Sequence, residues 1–197
     1  MKTIHLIRHG KTEANEKRLY CGYTDLPLSE LGRLEISEIA SQDIYPSDVK
    51  QLFTSGLTRT EETLDIIYGT VPRKRIPSLM EYNFGQFEMH SYEQLKAQED
   101  YQAWIMDTTD AVACPGGESK KQFNKRIIAG FNEIMTMGET ALVVCHGGVI
   151  ACIMEHLWPG TKNFYEWQPA PGRGYTLHIC GNSEEEGYEY GNQYHEL

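Results

Sequence analysis

Long apolar runs, paired cysteines and positive charge are all scarce in this 197-residue chain. No stretch approaches the roughly 20 apolar residues that cross a bilayer. Met1–Ile7 runs straight into polar residues, so neither an export signal nor membrane insertion is expected. The cysteines, Cys21, Cys114, Cys145, Cys152 and Cys180, are five in number, widely spaced and without a C-x-x-C pair. That excludes a disulfide framework and a thiolate zinc site, and it points to reduced thiols in the cytoplasm. Lys and Arg number 18 against 28 Asp and Glu, a formal net charge of −10. Such a balance argues against non-specific nucleic-acid binding, and an anionic substrate has to be drawn in by a local basic cluster. Five glutamates, 184, 185, 186, 189 and 196, lie in the tail from Gly181, which has no Lys or Arg.

Several catalytic signatures are missing as well. No Cys has Arg six positions on, no G-x-x-x-x-G-K-[ST] or G-x-S-x-G occurs, and no D-x-D cluster offers metal ligands. Cysteine-phosphatase, P-loop and serine-hydrolase chemistry are excluded on that ground. No metal and no cofactor is expected.

What is present is an ordinary globular composition, 40% hydrophobic and 23% charged, at a length that suits one domain over residues 1–197. The most informative stretch is Ile4–Asn15. Thr3, Ile4, Leu6 and Ile7 read as a buried strand that ends in Arg8-His9-Gly10, and Thr12 can cap a short helix through Glu13, Ala14 and Asn15. A cation, an imidazole and a helix start then converge, as at an anion site with a nucleophile or base in it. Taken alone, the tripeptide fits a solvated strand end equally well.

The unit recurs. Val49–Thr54 reads as a second strand, followed by Ser55-Gly56 and a helix over Leu57–Tyr68 that carries Arg59 in its first turn and stops at Gly69. Thr140–Cys145 is the most strand-like run, and it ends in His146-Gly147-Gly148 before a helix over Val149–Leu157. Between these lie a capped helix after Ser29, with Leu34, Ile36, Ile39 and Ala40 as its apolar face, and a short edge strand between Pro72 and Pro77. Ser91–Asp107 has helical character, and Lys120–Met137 is a long amphipathic helix. Tyr175–Cys180 reads as a strand, and Asn182–Gly187 as a turn into a last edge strand. Strand–helix units of this kind build an α/β fold with a mostly parallel sheet, whose strand ends share one edge.

Arg8, His9, Arg59 and His146 meet at that edge, and two guanidiniums with two imidazoles suit a phosphoryl dianion. A carboxylate is available on Leu79–Glu88, where Tyr82, Phe84 and Phe87 partly desolvate Glu81 or Glu88 and so suit it to give up a proton during catalysis.

These residues have a family pattern. Leu6-Ile7-Arg8-His9-Gly10-x-Thr12-x-x-Asn15, Ser55-x-Leu57-x-Arg59-Thr60, Glu81-x-x-Phe84-Gly85-x-x-Glu88, Gly116-Gly117-Glu118-Ser119 and His146-Gly147-Gly148 together resemble the histidine phosphatase superfamily, in its phosphoglycerate-mutase-like branch. The resemblance implies a three-layer sandwich with helices on both faces of the sheet, and residues 82–118 as a cover over the site. It implies that His9 is phosphorylated by substrate, that Arg8, Arg59 and His146 hold the phosphoryl group with help from Asn15, and that Glu81 protonates the leaving oxygen, with Glu88 and Glu13 as alternatives. Thr12, Gly22, Tyr23 and Gly147 are carried as substrate-binding positions. The second nitrogen of His9 is expected to be fixed by a backbone carbonyl. Two departures stand out: Gly56 where many members have Pro, and Met89-His90 after Glu88 where Gly is usual.

At this length the chain is similar to the short phosphatases, among them alpha-ribazole phosphatase, which shares the stretch Gly22-x-x-Asp25-x-Pro27-Leu28. The expected partner is a small phosphorylated substrate, with no nucleic acid and no membrane. Tyr20, Tyr23, residues 92–106 and Arg173 are candidates for an outer pocket. The sequence carries no signal for the number of subunits.

Overall fold

The computed structural model describes residues 2–138, 140–179 and 194–197. The chain runs β1 (Lys2–Arg8), α1 (Glu13–Glu16), α2 (Glu30–Ala40), β2 (Gln51–Thr54), α3 (Thr58–Tyr68), β3 (Lys74–Arg75), α4 (Tyr92–Leu95), α5 (Glu99–Ile105), α6 (Lys120–Thr136), β4 (Thr140–Cys145), α7 (Gly147–Leu157), β5 (Gly174–Ile179) and β6 (Tyr194–Glu196). The sheet order is β3-β2-β4-β1-β5-β6. Strands β3, β2, β4 and β1 are parallel, and β5 and β6 are added antiparallel, so the sheet is mixed.

Alternation along each strand sorts side chains onto two faces. Ile4, Leu6, Phe53, Ala141, Val143 and Cys145 join the larger core, which includes Phe123, Ile127 and Phe131 of α6 and Val149 to Met154 of α7. Ile7, Leu142 and Val144 face the other way and pack on Leu64 of α3. Both faces of β4 are covered, which is why its sequence reads as an unbroken apolar run.

Some boundaries differ from the sequence reading. β2 starts at Gln51, and α7 starts at Gly147 because both glycines lie inside its first turn. Leu34 is 63% exposed, since α2 buries only Gly32 and Ile36 fully. Cys180 and the turn expected at Asn182–Gly187 lie outside the described residues. No helix among the described residues is long and apolar enough to cross a membrane.

Candidate active site

Ladder register assembles the site. In the parallel pair β1/β4, Arg8 is opposite Cys145, so the next residues, His9 and His146, leave the sheet side by side. The His9 amide donates to the Cys145 carbonyl at 3.0 Å, and the two imidazole rings meet edge to face with centroids 5.0 Å apart. In the pair β2/β4, Thr54 is opposite Val144, which brings Ser55 within 2.8 Å of His146 Nε2.

His9 Nδ1 lies 2.6 Å from the Gly10 carbonyl oxygen, as expected from the sequence. A carbonyl only accepts, so Nδ1 carries the proton and Nε2 keeps its lone pair. Burial pushes His9 well below the usual imidazole range, Arg59 and Arg8 push the same way, and only the Gly10 hydrogen bond opposes them. His146 is displaced in the same direction by burial, then by Arg59, His9 and Arg8. Both rings are neutral at pH 7.

The cations are held from outside the site. Arg59 is 1% exposed, and its terminal nitrogens donate to the Thr24 carbonyl at 3.0 Å and the Gly22 carbonyl at 2.6 Å, which leaves three of its five N–H donors. Arg8 donates to the Pro169 carbonyl at 2.7 Å. Arg8 Nε and His146 Nδ1 are buried with no hydrogen-bond partner among the described residues. Buried polar atoms are rarely left unsatisfied, and here both belong to groups that can donate to an anion.

Gly147 and Gly148 let Arg8 and Glu81 approach the backbone closely. A Cβ on Gly147 would stand 3.1 Å from Arg8 Cζ, and one on Gly148 would stand 2.5 Å from Glu81 Oε1. The Glu81 carboxylate occupies that space, accepting from Gly148 N and Tyr82 N at 2.9 Å each. Its own loop is clamped by Arg126, which donates to the carbonyls of Ser78, Met80 and Glu81 and pairs with Glu118.

The two other candidate carboxylates have different posts. Glu88 accepts from the backbone amides of Gly22, Tyr23, Thr24 and Phe84, so it fixes the loop that holds Arg59. Glu13 is exposed and pairs with Lys17.

A cavity of about 480 Å³ opens over this floor. Of the expected residues it is lined by Arg8, His9, Asn15, Glu81 and Gly147, while Arg59 and His146 lie buried beneath. Three expected substrate contacts fall elsewhere. Thr12 is buried and caps α1, and its hydroxyl and amide hold Asn15 Oδ1 at 3.0 and 2.9 Å, which aims the Asn15 amide. Gly22 works through its backbone, between Glu88 and Arg59. Tyr23 turns its ring to the Arg126 guanidinium, 5.7 Å from the centroid. Of the outer-pocket candidates, Tyr20, Trp104 and Ile105 line the cavity, whereas Arg173 lines a separate one. Gln168, Phe164 and Tyr165 also line it, and nothing in their sequence context marks them.

The departures from the family pattern are conformational. Gly56 has φ +91°, which proline cannot adopt, so this turn takes its own path into α3. Met89 stands in the left-handed region at φ +62°, the conformation a glycine would favour there. Among the described residues, no three His, Cys, Asp or Glu side chains are grouped so that they could hold a metal ion.

Residues 4–182 match the sequence model of the histidine phosphatase superfamily, branch 1. The chain belongs to this superfamily. A probable phosphoglycerate mutase GpmB of Yersinia enterocolitica is 28% identical over 162 residues, 80% of this chain and 75% of that protein. Among solved structures, the alpha-ribazole phosphatase from Shigella flexneri superposes with TM-score 0.76 at 26% identity, covering 90% of each chain. A phosphoglycerate mutase from Thermus thermophilus superposes with TM-score 0.69 at 27% identity, covering 89% of this chain and 92% of that one. The phosphoglycerate-mutase-like fold of the superfamily is thus the fold of this chain, and its relatives carry the names of phosphatases and mutases alike.

Proposed function

We propose that this protein is a metal-independent phosphomonoester hydrolase that works through a phosphohistidine on His9 and acts on a small phosphorylated metabolite. The observation that carries the reading is the tautomer of His9, with Nδ1 tied to Gly10 and Nε2 free to attack beside Arg8, Arg59 and His146.

In the first step the Nε2 lone pair forms a bond to phosphorus as the ester P–O bond breaks, and Glu81 gives its proton to the leaving oxygen. In the second, water attacks the phosphohistidine, Glu81 takes back a proton, and the P–N bond breaks to release phosphate. Charge on the transferring group is met by the three free donors of Arg59, by Arg8 Nε and by the start of α7, with no step routed through a cofactor. When the Ser55 hydroxyl donates to His146 Nε2, the proton of His146 sits on Nδ1 and serves as a further donor. Residues 82–118, which contribute Tyr82, Phe84 and Trp104 to the cavity, act as its cover. The free thiols among the described residues fit a reducing compartment, and we assign the reaction to the cytoplasm.

The names of the curated relatives favour a mutase as the second reading. A mutase must hold a second phosphate on the far side of the donor. Here the cation lining the outer cavity is Lys120, already 3.6 Å from Asp110. A phosphate-binding module without catalysis has no use for a neutral nucleophile and an adjacent carboxylate.

The test is hydrolysis of p-nitrophenyl phosphate in the presence of a chelator, with His9→Ala alongside. Turnover in the parent that drops by at least ~10⁴-fold in the variant supports the reading, and an inactive parent sinks it. Offering 3-phosphoglycerate with 2,3-bisphosphoglycerate separates the two enzymes, since 2-phosphoglycerate in place of free phosphate would make the protein a mutase.

A further inference from the structure

The cavity is far larger than the group that reacts in it. Its volume is about 480 Å³, and its lining runs from Arg8 and His9 to Asp107, Asp110 and Tyr165. The walls of this outer chamber are aromatic, chiefly Tyr20, Phe84, Trp104 and Phe164. Tyr20, Phe84 and Trp104 pack against one another with centroids 5.0 to 6.0 Å apart, so they form a fixed surface.

The mouth of the cavity, marked by Lys120 and Asp110 with side chains 43% and 45% exposed, has the opposite charge to the buried floor. Asp107 and Asp110 line it, Glu155 is close enough to Asp110 and Lys120 to feel both, and Lys120 is the cation among these four. The two lining aspartates differ in what they have left to offer. Asp107 spends one oxygen on Thr109 and the other on Val112, holding its own loop in shape. Asp110 pairs only with the Lys120 ammonium, at 3.6 Å, among the described residues, and its side chain is 45% exposed. Its carboxylate retains lone pairs for a ligand. Lys120 in turn lies 6.0 Å from the centre of the Phe164 ring, so its charge is shared between the two sides of the mouth.

A guest therefore meets Arg8 at the floor with Arg59 buried beneath, flat rings along the walls, and excess negative charge at the exit. We propose that the outer chamber selects phosphate esters whose alcohol part is a flat apolar body ending in a protonated nitrogen, and discriminates against esters that carry a second acid. Asp110 is the specificity-determining residue. An ammonium at that end gains from the carboxylate and from the faces of the rings. A carboxylate or second phosphate there faces like charges. This choice of substrate class rests on the phosphomonoesterase reading, but it can be tested without turnover.

The probes are three matched phosphonates that cannot be hydrolysed: benzylphosphonate, 4-(aminomethyl)benzylphosphonate and 4-carboxybenzylphosphonate, bound to the full chain at pH 7 and followed by calorimetry. The expected order is amine, then unsubstituted, then acid, with about tenfold between the ends at low ionic strength. Asp110→Asn, whose amide tolerates the φ of +58° at this position, should shrink that ratio severalfold. Lys120→Ala should widen it. Equal binding of the three, or preference for the acid, overturns the assignment. So does a ratio unchanged in Asp110→Asn. The corresponding benzyl phosphates, assayed for phosphate release, report on catalysis separately: a ranked set of phosphonate affinities with no turnover defeats the hydrolase reading and leaves the selectivity standing.

Discussion

At the inner end of the cavity the reactive groups sit on strand ends locked by ladder register, whereas the outer walls hang from α5, the residues after it, and the segment around Phe164. His9 and His146 cannot separate without breaking β1 from β4, and Ser55 cannot leave His146 without shifting β2. Trp104 and Phe164 have no such anchor in the sheet. The groups proposed for the chemistry are mounted on the sheet, and those proposed for the choice of substrate on helices and loops packed outside it.

Substitutions can break this contrast or sharpen it. Arg59→Ala removes inner-end charge and also releases the Gly22 and Thr24 carbonyls, and we expect kcat/KM on p-nitrophenyl phosphate to fall about 10³-fold. Trp104→Ala should change the same quantity by less than ~10-fold, mostly through KM. Equal losses in the two variants would erase the distinction between the ends.

Arg126→Ala tests whether the acid depends on its frame. Five donors are lost from around the Glu81 loop and Glu118 is left without its partner, so kcat should drop about 100-fold, with Arg126→Lys recovering only part. A KM effect alone would mean that the clamp serves binding.

The opposite face of β1 gives a third contrast. His5 is buried four residues before His9, hydrogen-bonded to Thr176 and facing His178, His195 and Asp48. Burial lowers it to about 4 from its ordinary 6.5, with Asp48 opposing and the two histidines adding to the shift. The folded value lies below the unfolded one, so the unfolded chain binds the proton first. Stability is complete above pH 6.5 and declines as pH falls towards 4, by about 2 kcal/mol from this residue. Denaturant midpoints measured from pH 7 to 4 should show that slope, and His5→Asn should flatten it. His9 and His146 are displaced in the same direction and add to the slope in the parent, so His5→Asn should leave part of it in place.

The smallest effect is expected at Met89, where a left-handed backbone carries a side chain. Met89→Gly should raise stability by up to ~1 kcal/mol with activity unchanged, since the residue supports the Glu88 loop through its backbone amide to Tyr20.

Much of this was legible along the chain. The run Thr140–Cys145 and the segment Ile4–Ile7 could only be buried strands, and glycines after each histidine marked sharp turns into helices. Thr12 was readable as a cap. Its second task, fixing Asn15, was not, because that depends on which way the Asn15 amide points. Along the chain Glu81 is the first choice of acid, with Glu88 and Glu13 as alternatives. Their separation came from hydrogen bonds to Gly148, to the Gly22–Thr24 amides and to Lys17, each a contact that local sequence does not encode. Arg126 lies 45 residues from the carboxylate it positions, and Gln168 has no motif around it.

By itself the sequence determined which strands are buried, where each one ends, and which polar groups stand at those ends, because apolar periodicity and turn chemistry act over a few residues. Only the tertiary structure decided which of these ends are neighbours, which of the three glutamates shares the cavity with His9, and what charge lines the way in. Those outcomes depend on ladder register and on loops packed from distant parts of the chain, and their physical origin is the match of whole surfaces, which no short stretch specifies alone.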